Sequence, residues 1–93
     1  MNKGELVEAI AIKSNVTKKD ADAILNAMVE TIVEAVAQGN KVTLVGFGSF
    51  EARQRQAREG RNPKTGEKMT IPATRTPAFA PGKLFKEKVA PSS

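Results

Sequence analysis

The chain has 93 residues, 15 Lys and Arg against 10 Asp and Glu, and neither cysteine nor histidine. Disulfides and thiolate metal sites are thereby excluded, and the usual general base and commonest metal ligand are missing. A chain of this length makes one small domain whose core is marginal unless it is stapled or shared between copies, and with no staple available dimerisation is the route left.

Asn2 followed by Glu5 has the capping-box pattern, so a first helix is expected from Lys3 to about Lys13. Leu6, Val7, Ala9 and Ile10 give it a narrow apolar face, and Ile12 falls off that face into solvent. Glu5 and Glu8 interrupt what would be the apolar region of a signal peptide. No apolar run approaches the roughly 20 residues of a membrane span. Thr17 and Asp20 repeat the capping spacing, Val16 is placed to staple against Ala21, and a second helix should run on to Gly39, a left-handed stop. Leu25, Met28, Val29, Ile32, Val33 and Val36 form a broad apolar stripe along it. Either the chain's own sheet or a second copy covers that stripe. So little chain is left to do so that burial between subunits is the preferred reading.

Lys41 to Val45 alternates as a strand does, Gly46-Phe47-Gly48 breaks the run, and Ser49 to Ala52 resumes it with Phe47 and Phe50 directed into the body. The strand is expected to continue to Arg58, polar on both faces, and to return from Met69 to Phe79. Pro72 and Pro77 confine the returning strand to an edge or to breaks in the ladder. A short helix follows Pro81-Gly82, with Leu84, Phe85 and Val89 inward and Lys83, Lys86 and Lys88 outward. Pro91-Ser92-Ser93 reads as a frayed tail.

The charge is unevenly placed. Residues 1–52 hold five lysines against seven carboxylates, a net of −2, whereas residues 53–93 hold ten Lys and Arg against three glutamates, a net of +7. Such asymmetry fits either a polyanion partner met by the second half or a solubilising surface. The projecting segment decides between them. Arg53, Arg55, Arg58, Arg61, Lys64 and Lys68 lie on an arm, about residues 53–76, that has no hydrophobic face, and only Glu59 and Glu67 oppose them near its tip. Arg53 and Arg55 share a strand face about 7 Å apart, close to the phosphate spacing of one DNA strand, and arginine grips phosphate with two donors. Arginine also suits the narrow minor groove, where the negative potential is strongest.

At the tip, Asn62-Pro63-Lys64-Thr65 has the composition of a type I turn, with Gly66 free to take a positive φ. Taken locally, a plain turn accounts for it. Arg61 and Lys64 bracket the ring, however, and Pro63 has no amide proton to desolvate, so it also fits a wedge between base steps. Asn62 suits donation to the minor-groove acceptors of an A·T pair. Lys3, Lys18, Lys83 and Lys86 lie near helix starts or on a basic face and are either further phosphate contacts or ordinary solvated lysines. Catalysis has little support: Thr17, Ser49 and Thr65 have no histidine to activate them, and Gly46-Phe47-Gly48 joins strands without opening a helix. Neither a metal nor any other cofactor is expected.

Leu44-Val45-Gly46-Phe47-Gly48-Ser49-Phe50, Gly60-Arg61-Asn62-Pro63-Lys64-Thr65-Gly66 and Pro77-Ala78-Phe79 with Pro81-Gly82-Lys83 closely resemble the bacterial histone-like HU family, to which integration host factor is related. The likeness covers residues 1–90 and has a cyanobacterial or plastid character. It implies an α+β fold: an intertwined dimer with a helical base, a small antiparallel sheet forming a saddle, and two projecting β-ribbon arms. It places the intercalating proline at Pro63 and the arm arginines at Arg53, Arg55, Arg58 and Arg61. Lys3, Asn62, Lys64, Lys68, Arg75, Lys83 and Lys86 complete the expected DNA surface. Leu25, Met28, Val29, Ile32, Val36, Leu44, Phe47, Phe50 and Phe79 make the expected dimer core. These proteins are themselves type cases of minor-groove wedging, so the resemblance and the wedge are not independent arguments. Ile12 stands where many members carry an acid.

The resulting expectation is a non-enzymatic homodimer in the cytoplasm, on the nucleoid or a plastid nucleoid. It would bind double-stranded DNA with little sequence preference, favour bent or nicked forms and compact the DNA. The alternatives are a site-specific subunit of an integration-host-factor-like heterodimer and a basic adaptor for acidic proteins or membrane surfaces. RNA binding would be a side activity.

Overall fold

The computed structural model describes residues 1–91, and residues 92 and 93 of the expected frayed tail lie outside them. In chain order the elements are α1 (Lys3–Ser14), α2 (Lys18–Ala37), β1 (Val42–Leu44), β2 (Gly48–Arg55), β3 (Arg58–Arg61), β4 (Lys68–Ile71), β5 (Thr74–Pro81) and α3 (Lys83–Val89). Three helices with antiparallel strands make an α+β chain. It divides into two compact units, residues 1–34 and residues from 35 onward.

In the first unit both caps form as the sequence predicts. The Asn2 Oδ1 accepts from the Glu5 N–H at 2.9 Å, and the Thr17 Oγ1 accepts from the Asp20 N–H at 3.1 Å. Each side chain satisfies an amide that the first helical turn leaves without a partner. Helix α1 ends on Asn15 in the left-handed conformation, φ 57°, which asparagine tolerates better than most residues. Val7, Ala11, Ala21 and Leu25 are the buried core here, with Ile10 packed against them. Ile12 is exposed, as expected.

Little else along the stripe of α2 is covered. Ile24, Met28, Val29 and Val33 are exposed, Val33 at 60%. Of the residues expected in a dimer core, Leu25 is taken up in the α1–α2 core, Val36 is buried, and Ile32, Phe50 and Phe79 are half-buried. Met28, Val29, Leu44 and Phe47 remain exposed in the single chain.

In the second unit α2 closes on Gly39, whose φ is +92°. The Gly39 N–H donates to the Val36 carbonyl and the Asn40 N–H to the Ala35 carbonyl, both at 2.9 Å. This pairing satisfies carbonyls that the end of a helix would leave open. Strands β1, β2 and β5 form one antiparallel sheet in that order, and β3 pairs with β4 as a separate ribbon. The register sets Phe50 opposite Phe79 and Arg55 opposite Thr74. Four phenylalanines then cluster: Phe50 and Phe79 have ring centroids 4.9 Å apart, and Phe47 stacks on Phe85 at 5.2 Å. Gly48 has to be glycine at this point. A Cβ there would lie 2.6 Å from both the Ala80 carbonyl oxygen and the Phe79 ring.

Two expectations need correction. The outgoing strand does not run unbroken to Arg58, because residues 56–57 interrupt it. The returning strand breaks at residues 72–73, as its prolines predict. Pro72 has no N–H to give, so pairing stops on that side and resumes as β5. In α3 only Phe85 is partly covered, whereas Leu84 and Val89 are exposed. A seven-residue helix packed mainly through the Phe85 ring leaves those two largely exposed.

Candidate nucleic-acid interface

The ribbon of β3 and β4 pairs Arg58 with Ile71, Glu59 with Thr70, Gly60 with Met69 and Arg61 with Lys68. Arg61 and Lys68 are thus like charges directly opposite one another, an arrangement that weakens a ribbon unless an anion lies against it. Only Gly60 and Ile71 are even half-buried on these two strands. A Cβ at Gly60 would come 3.2 Å from the Ile71 Cδ1, so Ile71 packs over the glycine. That contact is the ribbon's small apolar centre.

The loop joining the strands is organised by Asn62. Its N–H donates to the Glu67 carbonyl at 2.8 Å, and its own carbonyl accepts from the Gly66 N–H at 2.7 Å. Its Oδ1 accepts from the Lys64 N–H at 2.9 Å, bridging across Pro63. The Thr65 Oγ1 accepts from the Glu67 N–H at 3.3 Å. The loop therefore closes one residue later than the type I turn predicted from its composition, because Gly66 supplies a φ of +73°. Asparagine commonly forms side-chain turns of this sort. With Oδ1 engaged by the loop, the Nδ2 of Asn62 is the group left to donate to a ligand. Pro63 is exposed at the tip, with Arg61 and Lys64 on either side. Thr65 carries a structural role that composition alone did not single out; its spacing to Glu67, two residues on, is the signal.

Below the ribbon, Arg53 and Arg55 are exposed on β2. The Arg53 Nε lies 3.7 Å from the Glu51 Oε1, on the same strand face. Arg75 behaves differently from the other arginines. Its Nη2 donates to the Val36 carbonyl at 3.4 Å and the Ala37 carbonyl at 3.5 Å. Lys83 and Lys86 are exposed on α3. In the first unit Lys3 lies 3.9 Å from Asp22, and Lys18 lies 3.9 Å from Glu8. Both pairs are exposed and are worth little to stability, about 0–1 kcal/mol. The lysines therefore remain available to another anion. The structure thus brings Arg58, Arg61, Asn62, Pro63, Lys64 and Lys68 together on one ribbon and loop, with Arg53 and Arg55 on the strand leading to it.

Residues 1–90 match the family model described as bacterial DNA-binding protein. The DNA-binding protein HU of a Nostoc species is 75% identical over 91 residues, covering 98% of this chain and 97% of that protein. This chain belongs to the HU family of bacterial DNA-binding proteins. The HU of a Synechocystis species is 62% identical over 97 residues, covering 98% of this chain and 97% of that one. Among solved structures, an Anabaena HU–DNA cocrystal structure superposes with a TM-score of 0.89 at 74% identity, covering 99% of this chain and all of that one. HU from Thermotoga maritima gives a TM-score of 0.67 at 42% identity, over 96% of this chain and 98% of that one. HU-family membership makes the chain an architectural, histone-like protein of the nucleoid-associated class, not an enzyme. Among the described residues, no helix is long and apolar enough to cross a membrane.

Proposed function

We propose that this HU-family chain forms a homodimer that binds double-stranded DNA with little sequence preference. Its ribbons enter the minor groove, and Pro63 of each subunit wedges between base steps and bends the duplex. Such a protein compacts DNA on the nucleoid and prefers forms that are already bent or nicked. The observation that carries this reading is the tip: an exposed proline in a loop closed by the bonds of Asn62, with cations on either side. An apolar group of this kind costs little to insert, and the bent duplex that results wraps more protein surface. The HU–DNA cocrystal of a 74% identical relative supports the choice of DNA as partner. The uncovered face of α2 supports the homodimer.

The deciding experiment titrates the protein into a short random-sequence duplex labelled at both ends and reads energy transfer at two salt concentrations. The expected result is a rise in transfer that weakens with salt. Salt-sensitive binding without that rise would reject proline-driven bending of arbitrary sequence. A rise confined to one sequence would favour a site-specific, integration-host-factor-like subunit.

A further inference from the structure

We infer that Arg75 is a positioning residue: its guanidinium ties the root of the β-ribbon to the C-terminal end of α2 and meets no phosphate. The inference rests on the proposed reading that the ribbon wraps DNA. Arg75 lies in the second position of β5 and pairs with Gln54, one step from the last rung, Arg55 with Thr74, before the ladder breaks. From there its side chain reaches back to carbonyls 38 and 39 residues earlier in the chain.

What it finds there is a helix end in need of a cation. The glycine-terminated closure satisfies the Ala35 and Val36 carbonyls through Asn40 and Gly39 and does not involve Ala37. The last turn of α2 has no basic residue of its own. Its carbonyls therefore present the negative end of a 20-residue helix with no countercharge from the helix's own last turn. Arg75 supplies that charge and adds a donor for Ala37. The guanidinium lies beside Gly39, where a Cβ would sit 3.8 Å from the Arg75 Nη2 in ordinary contact. Arginine is planar, always charged and weakly hydrated, and so suits a fixed structural contact better than lysine. Because the ladder is interrupted just beyond Arg55 and Thr74, the direction of the ribbon depends on how firmly its last paired rungs are held. Arg75 is the contact that holds them to a helix.

The test compares wild type, Arg75→Ala and Arg55→Ala in two assays. One is amide hydrogen exchange of the DNA-free protein, resolved at residues 52–55 and 74–76. The other is the salt dependence of binding and the bend of the doubly labelled duplex. Arg75→Ala should speed exchange at the ribbon root about tenfold as local opening becomes easier. It should also lower the bend at saturation and leave the salt slope unchanged. Arg55→Ala should leave exchange unchanged and lower the magnitude of the slope by about 0.9 for each phosphate that the variant no longer neutralises. Unchanged exchange in Arg75→Ala, or a fall in its slope of that size, overturns the inference. If Arg75→Ala does not fold, Arg75→Gln, which keeps the stem without the charge, takes its place under the same criteria. Should wild type fail to bind or bend DNA, the proposed function falls, while the DNA-free exchange still judges the role of Arg75.

Discussion

Pro63 and Gly48 show two ways in which a single residue is specified. Pro63 touches little of its own chain, so its identity matters to what it meets outside. Pro63→Ala should leave stability within about 1 kcal/mol of wild type, the scale on which a proline restrains the unfolded chain. It should retain most of its affinity for a pre-bent duplex and lose the bending of an intact one, read by energy transfer; equal bending by the variant would remove the wedge. Gly48 is the converse. A methyl group there would stand 2.6 Å from a carbonyl of β5 and from the Phe79 ring. Gly48→Ala should therefore cost about 1–3 kcal/mol by crowding, seen as a lower midpoint in urea or heat. The need for glycine at position 46 or 48 could be suspected from the Gly-Phe-Gly break. Which backbone and which ring press on Gly48 could not, since that depends on the pairing with β5.

At the scale of elements, helices α1 and α2 were readable because their signals are local. Caps and glycine stops act within a few residues, and both caps form with the predicted partners. Asn2→Ala should cost about 1 kcal/mol, measurable by chemical denaturation without effect on DNA affinity beyond that of stability. The ribbon was legible as a polar, cationic pair of segments. The break at Pro72 was legible too, since proline has no N–H for the ladder; the interruption of the outgoing strand at residues 56–57 was not, because it depends on which partner faces it. The ribbon's charge makes a separate prediction. If about 6–10 phosphates are neutralised by a dimer, log K should fall against log salt with a slope near −0.9 per contact. Arg61→Ala should lower the magnitude of that slope and weaken binding equally for all sequences. A loss restricted to one sequence would mean that Arg61 reads bases.

At the scale of the whole molecule, the single chain leaves apolar surface on α2 that a small domain can ill spare. Val33 is 60% exposed and Val29 51%. If those positions were solvated in the working protein, Val33→Glu would change stability by no more than about 0.5 kcal/mol. If a second copy covers them, the same substitution buries an unpaired carboxylate and is strongly destabilising. The expected outcome is a concentration-dependent dimer for wild type in sedimentation equilibrium. Val33→Glu should shift it toward a poorly folded monomer. A variant that stays dimeric and stable would remove this face from the interface.

Composition, charge placement and the Asn-Pro-Lys-Thr-Gly tip were enough to indicate a cationic arm carrying a proline wedge, because net charge and turn chemistry are properties of neighbouring residues. The segments resembling HU gave the family. The tertiary structure alone decided that Leu25 belongs to the chain's own core, that Leu84 and Val89 stay largely exposed, and that the Arg75 guanidinium lies against the last carbonyls of α2. Each of these depends on which distant residues are brought together. Arg53 on one strand and Arg75 on its partner look alike in a sequence until a helix end 38 residues away claims one of them.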